Sequence, residues 1–309
     1  MDLTKYGINE RIRFIQRGWV SANSILITGD APVIFDTGHH SLAHELPPLM
    51  AKEGVAAESL TKIVNTHGHW DHHSGNDALR ALSGATVYMG ALTAEWMRTR
   101  NGHDSWMSYF GVPPVYSLPD EVISAETTLN LGGFTWQVIP LPGHSPDLLG
   151  FYEPNEQVLI CADALLPNGD MGVLNVMVHG WEALDHAEAS IERMLGLTIR
   201  VALPGHGPII TKVESNLLAL QQRLLQFRRE PERLVRHFTR RIVMAYLLEV
   251  APMTYEQALE VALNFPWVED YEPYFGDSAE NTFKRTINEL IRGRAIRVVD
   301  NLLISQVPR

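Results

Sequence analysis

The chain has a single cysteine, Cys161, in 309 residues, which excludes an internal disulfide and fits a reducing compartment. Long apolar runs are missing: none approaches the roughly 20 residues that a membrane-spanning helix needs, so no membrane association is expected. The opening Met1-Asp2-Leu3-Thr4-Lys5-Tyr6 lacks the charged and apolar regions of a signal peptide, making the cytoplasm the default location. Positive charge is in deficit, with 25 Lys and Arg against 36 Asp and Glu, a formal charge of −11. Such a surface is a poor match for a nucleic-acid backbone. There is no internal repeat, no low-complexity stretch, no Gly-rich phosphate loop, and no Ser or Cys nucleophile motif.

What the chain does have is histidine in a telling arrangement. In Thr66-His67-Gly68-His69-Trp70-Asp71-His72-His73, four metal-ligating side chains fall at i, i+2, i+4 and i+5, directly after the apolar run Ile63-Val64. A strand rim points alternate residues the same way, so His67 and His69 can share one metal while the following turn swings Asp71 and His72 toward a second. Four ligands leave two metals too open, and three further turns offer partners. These are His144 in Leu141-Pro142-Gly143-His144-Ser145-Pro146, Asp163 after Leu159-Ile160-Cys161-Ala162, and His206 in Leu203-Pro204-Gly205-His206-Gly207-Pro208. Each follows a strand-like run, where sites built on sheet edges collect their groups.

This order of seven ligands resembles the metallo-β-lactamase-fold hydrolase superfamily over roughly residues 10 to 210. The resemblance implies an α/β fold, an αββα sandwich, with His67, His69 and His144 on a first zinc, Asp71, His72 and His206 on a second, and Asp163 bridging. Asp71 would also be the catalytic residue that orients the attacking hydroxide. A cysteine at Asp163 would have pointed to the zinc β-lactamases and a glutamate at His69 to the di-iron oxygen-reducing branch. The residues present fit the glyoxalase II-like, lactonase and phosphodiesterase branches, whose members hydrolyse thioesters, esters, lactones or phosphodiesters. Asp36-Thr37-Gly38 resembles the loop that supports a ligand histidine, which makes Asp36 a candidate for a supporting hydrogen bond.

The donor chemistry agrees with this. Imidazoles and carboxylates without thiolate suit zinc, with manganese and iron as alternatives. Two such metals about 3.5 to 4 Å apart hold a hydroxide whose parent water has its pKa lowered toward roughly 7. Four positive charges, less Asp71, Asp163 and the hydroxide, leave one that favours an anionic tetrahedral intermediate.

Charge and texture divide the chain. From Thr211 onward there are 14 Lys and Arg against 13 Asp and Glu, or +1, leaving 11 against 23, or −12, for the first 210 residues. Residues 1–210 alternate short apolar runs with turns and helical stretches at 77–82, 91–99 and 185–195. Residues 211–309 read as helices, with a break at Pro231, a capping box at Thr254-Tyr255-Glu256-Gln257, a helix over 281–291 and a terminal hairpin around Asp300-Asn301. That order resembles the smaller, mainly helical winged-helix-like domain of several superfamily members. Arg229, Arg233, Arg236 and Arg240 fall at helical spacings along one stripe, with Leu225, Val235 and Ile242 facing elsewhere.

Other residues carry plainer expectations. His73 points away from the metals, His39, His40, His44, His186 and His237 are ordinary, and Cys161 is a packed thiol. Three aromatic segments, 103–110, 171–181 and 267–275, border a pocket or pack between domains. The favoured function is a dinuclear metal hydrolase of a small-molecule thioester, ester or lactone, with acyl-CoA among the candidates and a homodimer left open. The rival is a phosphodiesterase or endoribonuclease supported by the arginine run, and the third reading is a non-catalytic metal-binding protein. The region after Thr211 is expected to shape the pocket or a subunit contact and not to bind nucleic acid.

Overall fold

In the computed structural model, which describes residues 1–107, 114–250, 252–274 and 276–306, the apolar runs of the first part become two sheets. Strands β1 (Ile12–Ile15), β2 (Ser24–Ile27), β3 (Val33–Phe35), β4 (Lys62–Val64), β5 (Thr86–Gly90) and β6 (Glu121–Ile123) lie side by side in that order. The second sheet runs β11-β10-β9-β8-β7, built from β7 (Thr128–Leu131), β8 (Phe134–Pro140), β9 (Leu149–Glu153), β10 (Val158–Ala162) and β11 (Val201–Pro204). Strands β3 to β6 are parallel, as are β10 and β11, and the other pairs are antiparallel.

Strand alternation explains the layering. Ile25, Ile27, Val33 and Phe35 point inward and meet Trp136, Val138, Phe151 and Ile160 of the opposite sheet. Leu26 and Ile34, one residue out of phase, point outward beneath helices. Helices α1 (Leu46–Lys52), α2 (Trp70–His73), α3 (Asn76–Ser83) and α4 (Ala91–Thr99) supply Leu46, Met50, Trp70, Leu79 and Met97 to that outer layer. Helices α5 (Val176–His179) and α6 (Ala183–Leu195) cover the second sheet, where Leu184, Ile191 and Met194 pack on Leu159, Cys161 and Ala202. The result is the αββα sandwich.

Beyond Thr211 come α7 (Val213–Arg229), α8 (Pro231–Val250), β12 (Met253–Thr254), α9 (Tyr255–Leu263), α10 (Pro266–Tyr271), α11 (Ala279–Arg292) and the hairpin β13 (Ile296–Val299) with β14 (Leu302–Ser305). Glu230 separates α7 from α8, and Pro231 opens α8 at the position where its missing N–H is not needed. Thr254 Oγ1 accepts from the Gln257 N–H at 3.2 Å while Gln257 Oε1 accepts from the Thr254 N–H at 2.9 Å, completing the capping box. Asp300 and Asn301 take φ of 50° and 64°, the left-handed pair of a two-residue hairpin. β14 lies between β12 and β13 in a small antiparallel sheet.

We propose a domain boundary near residue 210 from the shift in charge and texture, with a winged-helix-like identity for the region that follows. One hydrophobic cluster crosses that boundary, running from Leu159 and Ile191 through Leu217 and Leu224 to Phe238 and Phe283. No helix among the described residues is long and apolar enough to cross a membrane.

Candidate metal centre

The parallel strands set the site. β3, β4, β10 and β11 end close together, and the residues just past their carboxyl ends are Asp36, the His67–His72 segment, Asp163 and His206. His144 enters from the turn that joins β8 to β9. Three overlapping triads result: His67, His69 and His144; His67, His72 and Asp163; Asp71, His72 and His206, each with ligand atoms within 4.8 Å of one another. All seven predicted ligands are therefore brought together.

The atoms that face the centre are identifiable. His69 Nδ1 lies 3.0 Å from His67 Nε2 and 2.8 Å from His144 Nε2, a cluster of imidazole nitrogens at the spacing of a shared ligand. On the other side, His206 Nε2 is 3.1 Å from Asp71 Oδ2, and Asp163 presents Oδ1 to His72 Nε2 at 3.6 Å and Oδ2 to His206 Nε2 at 3.7 Å. Asp163 Oδ2 also approaches His144 Nε2 at 3.4 Å, so this carboxylate sits between the two groups.

Three of the outward nitrogens, on His144, His72 and His67, have partners that fix their rings. His144 Nδ1 donates to the Val173 carbonyl at 2.7 Å, and His72 Nδ1 donates to Asp36 Oδ2 at 2.8 Å. His67 Nδ1 donates to Thr66 Oγ1 at 3.0 Å, whose own hydroxyl donates to Asp36 Oδ2 at 2.7 Å. Asp36 further accepts the Thr66 N–H at 2.9 Å and holds a left-handed φ of 55°, a conformation that the three hydrogen bonds over-determine. The predicted support from Asp36 thus takes the form of contacts to two segments of the ligand run.

Charge is sorted in the way a divalent cation requires. Burial holds the His67 and His69 imidazoles far below their ordinary range, hence neutral, and lowers His144 against the pull of Asp163. Burial alone would raise the Asp163 and Asp71 carboxyls, but the histidines around them overcome it and keep both ionised. His72, pressed among Asp71, Asp36 and Asp163, is driven well above its usual range despite burial. Three carboxylates around one imidazole call for a cation. His72 Nε2, His206 Nε2 and Asp163 Oδ1 are buried without a hydrogen-bond partner among the described residues, aimed where that cation would sit. Gly205 leaves the room: a Cβ there would overlap Asp163 Oδ1 and His72 Cε1.

The match to known families agrees with this geometry. The model of the Metallo-beta-lactamase superfamily matches residues 17–222. The chain belongs to the metallo-beta-lactamase superfamily. A superfamily relative, the probable metallo-hydrolase YqgX of Bacillus subtilis, is 27% identical over 204 residues, 64% of this chain and 92% of that protein. The hydroxyacylglutathione hydrolase of a Jannaschia species is 28% identical over 122 residues, 40% of each chain. An atrochrysone carboxyl ACP thioesterase of Aspergillus fumigatus is 26% identical over 197 residues, 62% of this chain and 52% of that protein. The chain thus spans about half or less of the two relatives with named thioester substrates. Among solved structures, a metallo-beta-lactamase family protein of Thermus thermophilus superposes with a TM-score of 0.56 over 96% of this chain and 98% of that one, at 19% identity, a likeness of fold.

The centre opens into a cavity of about 60 Å³ bounded by Trp19, Trp70, Trp106, Val173 and, from α8, Arg241, Ile242 and Ala245. Two of the three aromatic segments therefore contribute a wall: Trp106 lies over His69 with ring centroids 4.3 Å apart, and Gly172 and Val173 back His144. Residues 108–110 of the first segment and Phe275 of the third lie outside the described residues. Trp267 and Tyr271 of the third segment are buried against Phe238 and pack the core instead.

The plainer expectations can be placed too. His73 is buried and joins none of the three triads, and burial pushes its imidazole down to about 4. The Cys161 thiol is buried, 3.4 Å from the carbonyls of Leu165 and Leu203, and burial pushes it up. The arginine stripe is interrupted: Arg229 ends α7, whereas Arg233, Arg236 and Arg240 join Arg223 along one groove, with Glu230 and Glu232 interspersed. His237 joins none of the triads and faces Asp170 at 3.3 Å.

Two residues escaped the sequence reading. Asp147 accepts the Gly68 N–H and the Thr93 hydroxyl, each at 2.6 Å, and the Ser145 hydroxyl, so it ties the turn between His67 and His69 to the His144 loop. Its position three residues after His144 was the available signal. Arg241 was visible only as one charge of the run from Arg223 to Arg241, because only the packing of α8 brings it to the cavity.

Proposed function

We propose that this superfamily member is a dinuclear metal-dependent hydrolase that opens a carbonyl-centred bond, with thioesters first among its substrates and esters and lactones next. The observation that carries the reading is the convergence of seven imidazole and carboxylate side chains in three overlapping triads at one cavity. The thioester preference is supported by relatives named for hydroxyacylglutathione and for an acyl-carrier-protein thioester. In this reading His67, His69 and His144 would hold one metal and Asp71, His72 and His206 the other, with the Asp163 carboxylate within reach of either group. Zinc fits the all-imidazole and carboxylate donor set. When bound, the metals supply Lewis acidity and a water made acidic enough to be deprotonated near neutrality.

The protein's own groups do the rest. Asp71, ionised and facing the cavity beside His206, orients the attacking water by accepting its proton in a hydrogen bond at Oδ2. Trp19, Trp106 and Val173 keep bulk water from the small cavity, which strengthens every charge interaction inside it. Asp36 and the Val173 carbonyl hold the His72 and His144 rings to the correct tautomer.

A turnover panel on metal-loaded protein tests the reading, comparing acyl thioesters, acyl-homoserine lactones, a chromogenic phosphodiester and single-stranded RNA at equal concentration. Thioester or lactone hydrolysis is expected to dominate. Cleavage of RNA or the phosphodiester with no acyl hydrolysis would replace the reading by the nuclease one.

A further inference from the structure

The cavity at the metal centre is too small to hold a whole substrate. At about 60 Å³ it has room for the reacting group and little else, whereas ligand sites commonly enclose roughly 300 to 1,000 Å³. A second cavity of about 500 Å³ adjoins it, and Trp19 and Arg241 line both. One turn of α8 forms the partition: Arg241 and Ala245 face the small cavity, Arg241 and Met244 the large one. The body of the substrate therefore belongs in the larger space, with its scissile group passed between Trp19 and Arg241.

The larger cavity is biased toward anions. Arg241 lines it and pairs with Asp170, whose carboxylate is also approached from outside the cavity by Arg223, so Arg241 does not have to neutralise Asp170 alone. Arg241 is about a quarter exposed, so its fork is open to a second partner. Arg17 lines the same cavity but is already engaged: its side chain is 1% exposed, it donates to the Thr37 and Leu42 carbonyls and it faces Glu45 at 3.9 Å, which leaves Arg241 as the cation open to a ligand. Trp19, Leu166, Pro167 and Met244 supply apolar wall for the intervening chain.

We propose that the larger cavity binds the body of the substrate and that Arg241 sets specificity by pairing with an anionic group, carboxylate or phosphate, carried near the scissile bond. This rests on the carbonyl-hydrolase reading above, which it deepens. Arg241 is a positioning residue, acting on the substrate's charge and not on the reacting atoms.

The test separates the two readings. Binding is measured calorimetrically on metal-loaded protein with three thioethers that cannot be hydrolysed: S-methylglutathione for carboxylate, S-methyl-4′-phosphopantetheine for phosphate, and neutral S-methyl-N-acetylcysteamine. At least one charged compound is expected to bind about tenfold more tightly than the neutral one. Arg241→Gln should abolish that preference, and Arg241→Lys should restore part of it, with unchanged metal content and an unchanged circular dichroism spectrum as the check on folding. With the matching acetyl thioesters, Arg241→Gln should raise KM about tenfold for the charged substrate while kcat stays within about threefold. Equal binding of charged and neutral thioethers, or a preference that survives Arg241→Gln, overturns the inference. Arg241-dependent thioether binding without turnover of any thioester, ester or lactone would retain the anionic cavity and refute the hydrolase reading instead.

Discussion

The two walls of the active cavity are built on opposite principles. The metal wall consists of short turns at strand ends, its side chains almost fully buried and most of them tied by hydrogen bonds to a further residue such as Asp36 or the Val173 carbonyl. The α8 wall presents Arg241 beside the apolar Ile242 and Ala245, and Arg241 is partly exposed and held by an ion pair to Asp170, 71 residues away in the chain. The first wall is preorganised for chemistry, which needs groups fixed to fractions of an ångström. The second is adjustable, as suits recognition of a substrate body. The difference predicts that substitutions on the metal wall act on turnover and metal, and those on the other wall on substrate affinity and local stability.

The largest expected effect is Asp71→Ala, which should lower kcat by about 10²-fold or more while changing substrate affinity little, because a group positioned on the attacking water is removed. Steady-state kinetics at measured full metal occupancy checks this. Next is Asp36→Asn, which keeps the shape but removes the charge facing His72 and Thr66. Metal affinity should fall by about 10- to 100-fold, read by competition with a chromogenic chelator. An affinity unchanged by this substitution would erase the proposed contrast, since the metal wall would then not depend on its supporting contacts.

On the other wall, Asp170→Asn tests an ion-pair hub. Burial would raise this carboxyl, but His237, Arg241 and Arg223 bring it down to about 2, below its ordinary 3.8. A depressed carboxyl stabilises the folded state above its unfolded pKa and loses that contribution as pH falls through the folded value. Asp170→Asn should therefore cost on the order of 2 kcal/mol at neutral pH, and the difference from wild type should shrink between about pH 4 and pH 2. Urea unfolding of metal-free protein at several pH values measures it. The smallest effect is expected far from both walls: Thr254→Ala removes a capping box and should cost about 1 kcal/mol of stability with turnover unchanged.

The two walls also differ in how far the sequence discloses them. The ligand run from His67 to His72 is local, so strand-rim alternation and the next turn are enough to read it, and Asp163 and His206 announce themselves by following apolar runs. Phe134–Pro140 was legible from its alternation, and Val33–Phe35 as a short apolar run between Pro32 and Asp36. β9, all five of whose residues are buried, shows no alternation, and β6 exposes Glu121 and Val122 at a sheet edge, so neither carried a pattern to read. Arg241 and Asp170 lie 71 residues apart, and nothing local marks either as part of a cavity. The arginine run was visible as charge, but Glu230 between α7 and α8 redirects it, taking Arg229 out of the stripe that the spacing implied.

The central claim is that seven side chains on the metal wall form one dinuclear centre that serves catalysis. Elemental analysis of protein purified without chelator, before and after zinc loading, tests this most directly when His67→Ala and Asp71→Ala are measured beside the wild type. The account predicts close to two metal ions per wild-type chain and a lower content in each variant, with thioester turnover tracking occupancy. A reproducible content near zero that zinc addition does not restore, or full turnover in metal-free protein, would contradict it.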